Sequence, residues 1–274
     1  MNAIAHLHRE SRGNHFRARS LRSADPALID PFLGIDHARI SAPTFPAHPH
    51  AGFSAVSYVF ADSETGIANR DSLGNRNLIL PGGLHWMAAG RGVVHEEVPV
   101  EIGKAAHMLQ IFINLPREAQ SAEPFTMNLP PQDVPEVHLS GARIRNPLGS
   151  FGEKASPISP PTDVSLFDIS LEEGVSLTLP VGAGQNAFVM PIDGNAVVDG
   201  HHLGGNDLTA LLSPAKLEAS EIGILAGESG FRAVLFAGRP LRLPVYWRGP
   251  MAMASTAALD AATAAYQRGD FGTI

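Results

Sequence analysis

The chain has 274 residues, 44% of them hydrophobic and 17% charged, with a formal net charge of −7 and no cysteine. That balance excludes wholesale disorder, and the lack of cysteine excludes disulfide scaffolds, thiolate zinc sites, iron–sulfur clusters and cysteine nucleophiles. The acidic surplus offers no global grip on nucleic acid, and no apolar run approaches the ~18 residues of a membrane span, so neither is expected as a partner.

At roughly 150 residues per domain the length predicts two domains. With 27 glycines and 22 prolines, many short strands joined by turns are favoured over long helices. The first 22 residues carry Arg9, Arg12, Arg17, Arg19 and Arg22 against one acid, Glu10. A transit peptide has this composition, but Gly13, Asn14 and His15 interrupt any amphipathic stripe. An edge strand or the rim of a site is the expectation, in a cytoplasmic protein.

Period-two alternation over residues 52–60 puts Phe53, Ala55, Ser57 and Val59 on one face and Ser54, Val56, Tyr58 and Phe60 on the other. Residues 108–115, 164–171, 175–179, 187–191, 208–212 and 231–237 read as further strands, with turns at 71–75, 81–83 and 193–195. The proline-rich stretch 146–163 reads as a linker or an entry loop to a second β-domain. One helix is expected, over 256–267, with Ser255 as its N-cap and Arg268–Gly269 as its basic end and C-cap.

Two histidine groups have ligand spacing. His48-Pro49-His50 places two imidazoles on one face of an extended chain, and His95-Glu96-Glu97 does the same for His95 and Glu97. On neighbouring strands the two pairs would converge three imidazoles and one carboxylate, a set that suits a divalent first-row metal. On the residues alone, two loop histidines beside a solvent-exposed His-Glu-Glu remain an open reading, and the one that H-x-H by itself favours, because that motif is weak. His85 reads as a pocket hydrogen-bonder or a surface histidine, His107 as a buried, satisfied one, and His201-His202, flanked by Gly200 and Gly204-Gly205, as a hairpin tip.

His48–Phe53 (HPHAGF), Arg70–Asn75 (RDSLGN) and Pro81-Gly82-Gly83 running into Trp86–His95 (WMAAGRGVVH) closely resemble the pirin family. Asp30–Leu33 (DPFL), Leu109–Pro116, Gly249–Met253 (GPMAM) and Tyr266–Gly272 extend the resemblance over nearly the whole chain. It implies an all-β bicupin: two tandem cupin-type β-barrels with a short C-terminal helix, residues 1–140 forming a metal-binding barrel and 141–274 a metal-free barrel that ends in the helix. By matching motif positions, His48, His50, His95 and Glu97 would hold one mononuclear metal, iron(II) first, with nickel, copper, manganese or zinc as alternatives.

Several pirins resemble flavonol 2,3-dioxygenases, which implies a quercetin-like enol and dioxygen as substrates, Glu97 as the base, and an aromatic pocket for which Phe53, Trp86, Met87 and Phe112 are the candidates. Other pirins are regarded as regulatory factors, which implies a protein partner instead. One departure stands out. Ser54 occupies a position where the family commonly has Glu, and its expected parity with His48 and His50 would leave the site short of a supporting carboxylate.

Overall fold

Alternating sequence becomes strand over most of the chain. The computed structural model describes residues 2–22, 25–204 and 206–274. The expected strands form as Phe53–Val59, Ala106–Asn114, Val164–Leu171, Ser176–Val181, Asn186–Val198, Thr209–Ser213 and Ser220–Gly238. The arginine-bearing N-terminal segment also forms strands, Ala3–Arg12 and Phe16–Leu21. The single α-helix, Thr256–Gln267, starts where Ser255 Oγ accepts from Ala258 N at 3.2 Å and ends before Gly269, whose φ is +84°. Among the described residues no helix is long and apolar enough to cross a membrane.

Two compact units result, and each gathers separated stretches of chain. One comprises Arg9–Ala18, Phe32–Pro131 and Leu241–Ile274; the other comprises Met1–His8, Arg19–Pro31 and Gln132–Pro240. This differs from a single cut at residue 140, and the helix belongs with the histidine-bearing unit. The physical reason is burial: Leu259 and Ala262 of the helix pack with Ala51, Val94, Met251, Met253 and Phe271, which are apolar groups of that unit.

In the histidine-bearing unit, one sheet runs in the order Phe125–Leu129, Leu84–Ala88, Phe53–Val59, Ala106–Asn114, Phe32–Ile40. A second sheet runs His48–His50, Val93–Pro99, Ile67–Asp71, Arg76–Ile79. Phe16, Ala18, Ala38, Val59, Ile67, Ile79, Ala106 and Met108 close one end as an apolar cluster.

The other unit packs Ile144, Phe167, Ile169, Leu179, Val189, Leu211, Ile222 and Leu235 into a single core. Three expectations are corrected there. Residues 193–195 are not a turn: Asn186–Val198 continues through them, because Gly194 at φ +71° forms a bulge where the register on Ser220–Gly238 shifts. An added Cβ at Gly194 would run into the Gly230 carbonyl, so the bulge requires glycine. Residues 146–163 are not a free linker either. Asn146 and Pro147 lie within strand Ala142–Leu148, and Ser150–Phe151 pairs with Lys154–Ala155 in a small hairpin. His201 and His202 begin strand His201–Gly204 just after the turn at Asp199–Gly200, so they are beside a hairpin tip rather than on it. Gly205 lies outside the described residues.

Candidate metal centre and cavity

Strand His48–His50 pairs antiparallel with Val93–Pro99, placing His48 directly opposite His95 and His50 opposite Val93. The three imidazoles meet. Ring centroids are 4.7 Å apart for His48–His50 and His48–His95, and 4.9 Å for His50–His95. One nitrogen from each lies within 4.8 Å of the others. Strand parity therefore brings the three imidazoles together, while Glu97, the expected fourth ligand, is not part of that group.

Hydrogen bonding fixes the tautomers. His48 Nδ1 donates to the Pro46 carbonyl at 2.8 Å, and His50 Nδ1 donates to the Pro250 carbonyl at 3.0 Å. A carbonyl only accepts, so both Nδ1 atoms carry the proton and both Nε2 atoms keep lone pairs. Those Nε2 atoms face each other at 3.1 Å. Two lone pairs at that separation repel, and a cation against both relieves the repulsion. His95 Nδ1 is buried without a hydrogen-bond partner. The donor set thus fits a metal ion. Burial, then the neighbouring His48, lowers the His50 pKa from 6.5 to about 3, and the Pro250 carbonyl opposes this. Burial and the charges of His50, His48 and His85 hold His95 well below the usual range. Both are therefore neutral at physiological pH, as ligands must be.

Glu97 lines the same cavity two residues beyond His95, and Ser57 Oγ donates to its Oε2 at 2.7 Å. Burial raises the Glu97 pKa, an effect offset in part by His85, by the Ser57 hydrogen bond and by His48.

The cavity, about 360 Å³, runs from the histidines between the two sheets. Phe53 and Phe112 line it, together with Phe16, Phe45, Met108 and Trp247. Phe53 and Phe112 pack edge to face with centroids 5.3 Å apart. Trp86 and Met87 do not line it. Trp86 lies opposite Val56 on the other face of its sheet, because neighbouring strand residues point to opposite sides. Met87 faces inward but is buried with Phe53 and Ala55.

Ser54 also proves to face away. It shares the alternation of Val56 and Tyr58, is fully buried, and leaves its Oγ without a hydrogen-bond partner. Gly52, at φ +84°, breaks the strand between His50 and Phe53 and resets the parity that continuous alternation would have carried through. Position 54 is thus no part of the cavity wall. Residue 57 is the one that reaches Glu97.

A row of polar residues went unrecognised in the sequence. Asp36, Gln110, Ser57, His85 and Asn128 stand directly opposite one another on five consecutive strands. They lie on five separate strands, so only the register brings them into line. His85 is buried, with Nδ1 against Asn128 Oδ1 at 2.7 Å. His107 is fully buried and satisfied by Asp62 at 2.9 Å and His37.

Comparison with known proteins agrees with this architecture. The family described as Pirin matches residues 7–113, and the Pirin C-terminal cupin domain matches residues 166–272. Pirin-like protein 2 of Arabidopsis thaliana is 31% identical over 283 residues, spanning 98% of this chain and 84% of its own. Pirin of Rattus norvegicus is 31% identical over 241 residues, spanning 86% of this chain and 80% of its own. The crystal structure of quercetin 2,3-dioxygenase from Acinetobacter baumannii superposes with a TM-score of 0.88 at 27% identity, covering 99% of this chain and 98% of that one. The fold is therefore a pair of cupin domains, and the chain belongs to the pirin family.

Proposed function

We propose that this pirin is a metal-dependent dioxygenase that cleaves a flavonol-like enol with dioxygen, with the metal held by His48, His50, His95 and Glu97. The observation that carries this reading is the pair of Nε2 lone pairs facing each other at 3.1 Å at the end of an aromatic-lined cavity. Likeness to the Acinetobacter baumannii quercetin 2,3-dioxygenase supports it. Three neutral imidazoles with one carboxylate suit iron(II), the metal we favour.

When bound, the metal supplies Lewis-acid and redox chemistry. The chain supplies the rest. The Pro46 and Pro250 carbonyls lock the orientation of His48 and His50. Phe53, Phe112 and Trp247 hold a flat aromatic against the histidines and exclude water. Glu97 accepts the enol proton, and Ser57, which donates to its Oε2, orients the carboxylate for the transfer. The burial that raises the Glu97 pKa strengthens its hold on that proton.

Elemental analysis of the purified protein followed by oxygen uptake with quercetin tests the reading. At least one of the iron-, nickel-, copper- and manganese-loaded forms should consume oxygen. Failure of all four would overturn it, and a search for a protein partner by pull-down would follow.

A further inference from the structure

Glu97 belongs to a ring of polar side chains that ties the two sheets of its unit together. On one sheet Glu97, Asn69 and Asn77 stand directly opposite one another, and on the other Ser57, His85 and Asn128 do. The rows join at both ends, where Ser57 Oγ meets Glu97 Oε2 at 2.7 Å and the Asn77 and Asn128 amides meet at 2.9 Å. Within the rows, Asn69 meets Asn77 at 2.9 Å and His85 Nδ1 meets Asn128 at 2.7 Å.

The middle members of the rows are incomplete: Asn69 Oδ1 and His85 Nε2 are buried without a hydrogen-bond partner. With the protons running from Asn69 to Asn77 to Asn128, and from His85 Nδ1 to Asn128, every donor except Ser57 turns away from Glu97. Ser57 has a single proton, and its Oγ also lies 3.1 Å from Gln110 Oε1. Buried acceptors beside a carboxylate are costly to leave unpaired. A carboxamide keeps its shape when its oxygen and nitrogen trade places, so the opposite sense moves no heavy atom. Turned over, Asn128 donates one N–H to Asn77 Oδ1 and the other to His85 Nδ1, and Asn77 donates to Asn69 Oδ1. Donors then occupy both unpartnered positions, as Asn69 Nδ2 and the N–H of His85 Nε2. Asn69 is the cross-strand neighbour of Glu97. His85 is close enough to oppose the rise in pKa that burial imposes on Glu97.

We propose that Asn69 and His85 are positioning residues: Asn69 Nδ2 and His85 Nε2 donate to the Glu97 carboxylate and hold it beside the three imidazoles. This role rests on the reading of Glu97 as a metal ligand and does not require turnover.

The tautomer of His85 reports the sense of the ring. Long-range proton–nitrogen correlation NMR of the metal-free, full-length protein at about pH 8, above the ordinary imidazole pKa, reads it, with His85→Gln identifying the signal. The proton should be on Nε2. A proton on Nδ1, with or without one on Nε2, would overturn the proposal, because Asn128 would then be the acceptor. Calorimetric titration of the same protein with nickel(II) tests the consequence. His85→Leu and Asn69→Leu should each weaken nickel binding by about 10-fold or more, the usual scale for losing a partner of a metal ligand. His85→Gln, which keeps an N–H donor, should retain most of the affinity. In a Glu97→Ala background the two leucine substitutions should cost nothing further, since no carboxylate remains to be held. Losses that persist there, or leucine variants that bind nickel as the wild type does, would overturn the proposal. Unchanged nickel affinity in Glu97→Ala alone would remove Glu97 from the ligand set and this role with it. The expected pattern without oxygen uptake would support the proposal while removing the oxygenase reading.

Discussion

His50 Nδ1 donates to the carbonyl of Pro250, 200 residues further along the chain. The C-terminal segment therefore orients a candidate metal ligand, and Gly52 is where the two stretches lock. Ala252 N donates to Ala51 O at 3.1 Å, and an added Cβ at Gly52 would strike the Ala252 carbonyl while the backbone holds φ +84°. Gly52→Ala should cost about 1–2 kcal/mol from the left-handed backbone alone, more from the clash, and should lower metal occupancy together with Tm. Thermal melts paired with elemental analysis check this. Full metal content at a reduced Tm would separate the C-terminal segment from His50.

His95→Ala should strip the metal while the barrels persist, because the site is not the source of the core. Metal per protein chain and a circular dichroism spectrum decide it. Full metal retention would show that His95 is not a ligand.

Glu97→Gln should reduce turnover by about 10²–10⁴ with smaller loss of metal, since the amide keeps an oxygen donor and cannot take a proton. Ser57→Ala should have a smaller effect in the same direction, as it removes the bond at 2.7 Å that positions the carboxylate. Oxygen uptake and metal content are measured in parallel. Equal proportional losses of both would assign Glu97 to metal retention alone.

Acid should destabilise the metal-free protein before ordinary carboxylate titration explains it. The folded-state pKa of His50 is lowered to about 3, against 6.5 ordinarily. Above pH 6.5 both folded and unfolded chains carry a neutral imidazole. Between 6.5 and about 3 the unfolded chain binds a proton that the folded chain refuses, so stability falls as pH falls, by up to about 1.4 kcal/mol per pH unit for such a group. His95 adds in the same direction. Denaturant melts from pH 7.5 to 5 should show this slope, and His50→Gln should flatten it; a flat wild-type profile would contradict the burial argument.

Ser54→Glu should destabilise the protein by several kcal/mol rather than enhance activity, because the residue is fully buried on the face away from the cavity. Unfolding midpoints and oxygen uptake test it. Raised turnover in a stable variant would place position 54 within reach of the site after all.

The chain's own alternation was enough to predict strands, a helix from Ser255, and the shared faces of His48 with His50 and of His95 with Glu97, because these depend on local periodicity and capping. The length predicted two domains, and the family motifs added that both are cupins. Tertiary structure decided what periodicity cannot carry across a break. One left-handed glycine, Gly52, turned Ser54 away from the cavity and left Ser57 beside Glu97. Strand register aligned Asp36, Gln110, Ser57, His85 and Asn128, which lie far apart in sequence. The helix joined the histidine-bearing unit because its apolar side chains bury there, and the Pro250 carbonyl reached His50 through the same folding back of the chain. Register and long-range burial are properties of which strands meet, and no single segment of sequence contains its partner.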